Sequence, residues 1–322
     1  MNPKTVWDLL KPTGLEWMED KVPRLGAALA FYSVLSLAPL LVIAIAIAGL
    51  VFGEEAARGQ VVEQMGGLVG KQGAEAIQEM IANARKPESG IIAAVIGVAT
   101  LLFAATGVFG ELHDAMNTIW EVQPKPGGGV MRFIKDRFLS FTMVLGIAFL
   151  LLVSLVLTTA LAATGKYLSG LVPFAAVMQV LNFVISFAVI TLLFAMMFKL
   201  LPDVKIGWSD VWIGAVITGL LFTLGKLLIG LYLGHSSIGS AYGAAGSFVV
   251  LLVWVYYSSQ ILFLGAEFTQ VYANKYGSRI EPAEGAEPVT DEARAEQGIP
   301  RTDKPRAEPP EAKPRRQEEG GA

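Results

Sequence analysis

The chain has 322 residues, 53% of them hydrophobic and only 16% charged, with a mean hydropathy of +0.54. Soluble domains carry about 25% charged residues, so this composition excludes an ordinary water-soluble enzyme and requires an apolar solvent. The net charge of -3 says little, because ionisable residues gather in ends and loops; the lack of cysteine excludes disulfides, thiolate metal sites and cysteine nucleophiles.

The expected fold is all-α, a polytopic membrane protein built as a six-transmembrane-helix bundle. A bilayer core of about 30 Å needs about 20 apolar residues, and six segments supply them: Ala27–Phe52, Ile91–Phe109, Phe138–Ala162, Pro173–Leu200, Val211–Leu233 and Ser247–Phe268. Residues 1–26 form an N-terminal cytoplasmic segment, and the first span is too long for a signal-peptide core, so it reads as retained. Pro39 lies inside that span and frees a backbone carbonyl, which predicts a kink. Residues 53–90 form an external loop in which Val61, Val62, Met65 and Val69, then Ile77, Met80, Ile81 and Ala84, recur at helical spacing. Two short amphipathic helices fit there, on the membrane surface or over a cavity mouth.

Pro173 suits the first turn of the fourth span, Pro202 closes it, and Ser209 and Asp210 suit the start of the fifth. Lys and Arg cluster before the first span, between the second and third, between the fourth and fifth, and after the sixth. Positive residues mark the cytoplasmic side, so both termini are expected in the cytoplasm. The core domain covers 27–272. From residue 273 to 322 the chain is rich in Glu, Ala, Pro, Arg and Lys with few large apolar residues, which predicts a disordered cytoplasmic tail.

Polar groups at membrane depth are costly and mark candidate function. Lys226 falls in the outer half of the fifth span, where it either snorkels to headgroups or faces a cavity or ion pair. Gln179, Asn182 and Ser186 share one face of the fourth span; Tyr256, Gln260, Phe263, Glu267 and Gln270 follow a similar spacing on the sixth. These stripes read either as interhelical hydrogen-bonding groups or as a substrate path made of Gln179, Asn182, Ser186, Lys226, Tyr256 and Gln260. Near the cytoplasmic ends, Arg24, Glu111, Asp114 and Glu267 form a candidate ion-pair cluster or gate. His113 and Asn117 lie four apart, but the only other histidine, His235, falls on the opposite face, so no metal site is expected. The Gly127–Gly129 run follows no strand and lacks the Lys and Ser/Thr of a phosphate loop.

Four blocks, ALAFYSVLSLAPLL from Ala28, TGVFGELHDAMNTIW from Thr106, LPDVKIGWSDVW from Leu201 and SAYGAAGSFVVLLVWVYYSSQILFLGAEFTQVY from Ser240, resemble the YihY/BrkB family of bacterial inner-membrane proteins over Pro23 to Tyr272. The resemblance implies a six-helix inner-membrane domain, an association with virulence or with lipid and envelope transport, and a historical ribonuclease BN label. No convergent acid/base or metal set and no basic groove stands in the sequence, so ribonuclease activity and nucleic-acid partners are not expected. No cofactor is expected. The expected role is a non-enzymatic transporter or translocator of a lipid-like or anionic envelope component, with membrane lipids as partners; the competing class is a non-transporting scaffold.

Overall fold

The structure is a computed structural model that describes residues 3–53, 107–126, 172–235 and 246–299, with isolated positions between 55 and 81 and at 242. The chain opens with helix α1 (Pro3–Glu19) and passes at once into α2 (Val22–Phe52). Helix α3 occupies residues 107–119 and strand β1 Val122–Pro124. Then come α4 (Val172–Leu200), β2 (Val204–Lys205), α5 (Trp208–His235) and α6 (Gly246–Lys275). The C-terminal segment contributes β3 (Glu281–Pro282), β4 (Ala286–Pro288) and α7 (Asp291–Glu296).

The fourth, fifth and sixth expected spans are α4, α5 and α6, which are long and apolar enough to cross a membrane over Gln179–Leu200, Trp208–Leu233 and Phe248–Lys275. The first expected span lies within α2, whose helix runs unbroken past Pro39; the Pro39 side chain falls outside the described residues. Of the second span only residues 107–109 are described, and the third span, the Gly127–Gly129 run and most of the 53–90 loop lie outside the described residues. Leu220, Leu224, Leu227, Leu228 and Leu231 project outward from α5, and Val180 and Phe183 from α4. An apolar stripe of this size facing away from protein is what a lipid solvent accommodates.

Small residues set the packing of α5 on α6. The place where a Cβ would stand on Gly214 is filled by Thr269, and the place on Gly265 is filled by Thr218. Each threonine hydroxyl donates to the carbonyl of the glycine on its own helix, Thr218 to Gly214 at 2.7 Å and Thr269 to Gly265 at 2.6 Å. The two hydroxyls are satisfied within their own helices, so the backbones approach closely without exposing a polar group to lipid. Gly219 packs on Thr191 and Phe187 of α4, and Gly26 of α2 packs on Gln260 of α6.

We call the end of the bundle where α2 begins, α4 ends, α5 begins and α6 ends the basal face. One finding there adds to the sequence reading and a second corrects it. Residues 3–19 are a helix seated on α6 through Leu9, Phe268 and Val271. Residues 277–299, expected as disordered tail, are folded: β3 pairs antiparallel with β2 and β4 with β1. Backbone bonds from Ala283 to Asp203 (2.8 Å), Lys125 to Gly285 (2.9 Å) and Val289 to Glu121 (3.0 Å) extend the clasp. The segment has too few apolar residues to fold alone. It borrows two strand edges from the bundle and buries Ala286, Val289 and Ile299 against it. Residues 300–322 lie outside the described residues.

Asp210 stands in the first turn of α5, as expected, and has a further role. Its carboxylate leaves the start of α5 and accepts from the Ser278 backbone N–H and hydroxyl, both at 2.8 Å, tying the clasp to the helix.

Candidate functional site: a charged basal rim

Three elements bring ionisable groups to the basal face. Helix α3 presents Glu111, His113, Asp114 and Asn117; the loop between α4 and α5 presents Asp203; the clasp presents Arg294. Asn117 clamps Asp203 twice: its amide nitrogen donates to the carboxylate at 3.2 Å and its carbonyl oxygen accepts the Asp203 backbone N–H at 2.8 Å. His113 Nε2 stands 3.5 Å from the same carboxylate and Nδ1 3.8 Å from Asp114. Burial works against a charged ring here, but the two carboxylates outweigh it and lift the His113 pKa to about 9.

Beside this clamp lies a more deeply buried group. Arg294 Nη2 donates to Asp20 at 2.7 Å, with the two side chains 1% and 2% exposed, and Arg294 Nη1 is 3.6 Å from Glu121. Glu16 and Glu267 complete the set. Desolvation raises the Asp20 pKa to about 7 although Arg294 opposes it, and Glu121 and Glu16 add to the rise. Glu267 on α6 is wholly buried, and neither carboxylate oxygen has a hydrogen-bond partner among the described residues. A buried carboxyl left in this state costs free energy that packing alone does not require.

Of the expected cluster, Arg24, Glu111 and Asp114 do come together: burial and Asp114 hold the Glu111 carboxyl above its usual range while Arg24 opposes them. Glu267 belongs instead with Asp20, Glu121 and Arg294. A pocket of about 300 Å³ touches both groups, with Arg24, Asp114, Asn117, Arg294, Gln297 and Ile299 in its lining. Asp20, Glu121, Asp203 and Arg294 were not singled out from the sequence. The signal that could have found the Arg294 helix is local: Thr290 is an N-cap residue type and accepts the Ala293 N–H, Asp291 and Glu292 fill the first turn, and Val289 and Ile299 are isolated apolar residues in a polar stretch. Among the described residues, no three His, Cys, Asp or Glu side chains are arranged to hold a metal ion.

The expected path residues share a depth. The contacts of Gly219 with Phe187 and of Gly225 with Tyr257 and Ile261 fix antiparallel registers that bring residues 179–186, Lys226 and residues 256–260 to one level. At that level Gln179, Asn182, Ser186 and Tyr256 are exposed, Lys226 is half-buried, and Gln260 is packed against Gly26 with both amide atoms unpartnered among the described residues.

A sequence profile described as "Virulence factor BrkB" matches residues 14–290. The chain belongs to this family. Relatives named UPF0761 membrane protein include those of Tolumonas auensis (29% identity, covering 54% of this chain and 56% of the relative), Idiomarina loihiensis (32%; 62% and 66%) and Vibrio parahaemolyticus (27%; 78% and 77%). The alignments span only 56% and 39% of the Tolumonas auensis and Albidiferax ferrireducens relatives. No solved structure matches. The BrkB match includes both clasp strands, whereas Arg294 and Ile299 lie beyond it. The blocks around residues 106–120, 201–212 and 265–272 that carry the resemblance meet at the basal rim.

Proposed function

We propose that this integral membrane protein translocates a lipid-like or anionic envelope component, with the basal rim as its gate. The observation that carries the reading is the band of polar groups on α4, α5 and α6 at one depth: Gln179, Asn182, Ser186, Lys226, Tyr256 and Gln260. Polar groups are expensive inside a bilayer, and a cation at that level attracts an anionic headgroup moving along the exposed face. At the basal end of the same helices, Glu267, Asp20 and Arg294 supply an assembly whose charge depends on protonation, as a gate requires. In this reading the basal face is cytoplasmic, as the positive residues near the helix ends indicate, and the protein is a carrier in the bacterial inner membrane rather than a catalyst.

Movement of labelled anionic and neutral lipids across liposomes containing the purified protein tests the proposal. Wild type accelerates the anionic lipid over empty liposomes, and Lys226→Ala removes most of that acceleration. Equal rates with and without protein sink translocation of lipids. One observation favours the scaffold reading: Gln260 packs directly against Gly26, so α2 and α6 are in close contact at that point. If wild type and Lys226→Ala are both inactive while the clasp stays folded, a membrane scaffold for envelope or virulence functions is the better account.

A further inference from the structure

Helix α1, part of the expected cytoplasmic N-terminal segment, has a surface divided into four faces. Leu9, Thr13 and Asp20 turn inward, with Leu9 packed on Phe268 and Val271 of α6. Beside that face Val6, Trp7, Leu10 and Met18 are exposed, Trp7 at 65% and Met18 at 68%. At about 100° per residue these four fill an arc of roughly 120°, Lys11 and Lys4 follow within about 40° of its edge, and Asp8 and Glu19 lie about 80–100° beyond that edge. The order around the helix is therefore protein, apolar, basic, acidic. Leu15 is the exposed aliphatic residue of α1 outside the arc.

The tilt of α1 agrees with this order. Leu9 meets α6 at Phe268 and Val271, and Asp20 interacts electrostatically with Glu267. The eleven residues from Leu9 to Asp20, about 16 Å of chain, thus lie against a stretch of α6 only about 6 Å long, with the Lys275 side chain reaching the Asp8 carbonyl from the next turn. A helix that covers so little of its neighbour's length crosses it steeply. With α6 long and apolar enough to cross a membrane, a helix that crosses it steeply lies close to the bilayer plane, here over the last turns of the candidate span.

We propose that α1 is a lipid-surface helix: Val6, Trp7, Leu10 and Met18 sit in the acyl–headgroup boundary at the basal face, Lys4 and Lys11 meet anionic headgroups, and Asp8 and Glu19 face water. The exposed apolar arc has the same character as the outward-facing apolar residues of α4 and α5, and the basic residues flank its edge. The occupant is thus an anionic lipid leaflet. The inference does not depend on translocation. It does give the rim a mechanical link, since Glu16 lies on α1 and Asp20 follows it immediately.

The test uses the full chain, which contains no cysteine. Single replacements Leu10→Cys, Met18→Cys, Asp8→Cys and Glu19→Cys, each labelled with an environment-sensitive fluorophore, are reconstituted in phosphatidylcholine vesicles with and without phosphatidylglycerol. Labels at 10 and 18 are quenched by lipid-attached spin labels and shielded from iodide, and labels at 8 and 19 show the reverse. Adding Lys4→Gln and Lys11→Gln shifts the docked-to-undocked ratio roughly 10-fold toward undocked in phosphatidylglycerol vesicles. Equal iodide quenching at all four positions overturns the proposal. Shielding at 10 and 18 that is the same with and without phosphatidylglycerol overturns the role of anionic lipid. Neither readout requires transport, so a failure here is separate from a failure of translocation.

Discussion

Replacing Arg294 by methionine removes the only cation in contact with Asp20 among the described residues while keeping an unbranched apolar stem in the socket. Asp20, 2% exposed, is left beside Glu267 and Glu16 without its cation, and Glu121 loses its contact with Arg294. Removing one partner of a buried pair costs about 3–5 kcal/mol, and each 1.4 kcal/mol is a factor of ten in an equilibrium. The bundle has its own packing, so the loss falls on the clasp. The assay is amide hydrogen exchange on the detergent-solubilised chain, read at Ala283, Val289 and Ile299, whose N–H groups bond Asp203, Glu121 and Arg294. In Arg294→Met these amides exchange roughly 100-fold or more faster, by the same free-energy conversion, while those of α4, α5 and α6 do not change. The acceleration is smaller in acid than in alkali, because a protonated Asp20 no longer needs its cation. Adding Asp20→Asn restores part of the protection by removing the orphaned charge. Wild-type protection at Val289 and Ile299 in Arg294→Met refutes the claim that this ion pair holds the clasp.

The raised His113 pKa stabilises the folded state below about 6.5, and that contribution is lost as pH rises through about 9. Thermal melts of wild type fall over this window, and those of His113→Gln fall less. Asp20, raised from 3.8 to about 7, also makes stability decline with rising pH, but between those two values, because the folded state holds the proton longer; Asp20→Asn flattens the curve there. Gly265→Val drives a branched side chain into Thr218 and destabilises the α5–α6 contact by about 1–3 kcal/mol, seen as a lower melting temperature that Thr218→Ala partly restores. Asp210→Ala removes two bonds to Ser278, worth about 1.5–3 kcal/mol each to a charged acceptor, and accelerates exchange at Ser278 without loosening α4.

Sequence alone determined the membrane character and the mostly helical fold, because hydropathy over about 20 residues is a local property and a bilayer demands every such segment be helical. It located α4, α5 and α6 and the ends marked by Pro173 and Pro202, and the motif blocks identified the family. It also placed Glu111, Asp114 and Arg24 near one another, since charges at span ends must share a level. Only the tertiary structure showed that residues 277–299 are ordered, because the strand edges and apolar contacts that order them belong to β1 and β2, more than 70 residues away in the chain. The same reason moved Glu267 from a pairing with Arg24 to a socket with Asp20 and Arg294. It also separated Gln260 from Asn182: periodicity assigns each to a face of its own helix, whereas the glycine contacts that set the rotation of one helix against another decide which faces meet.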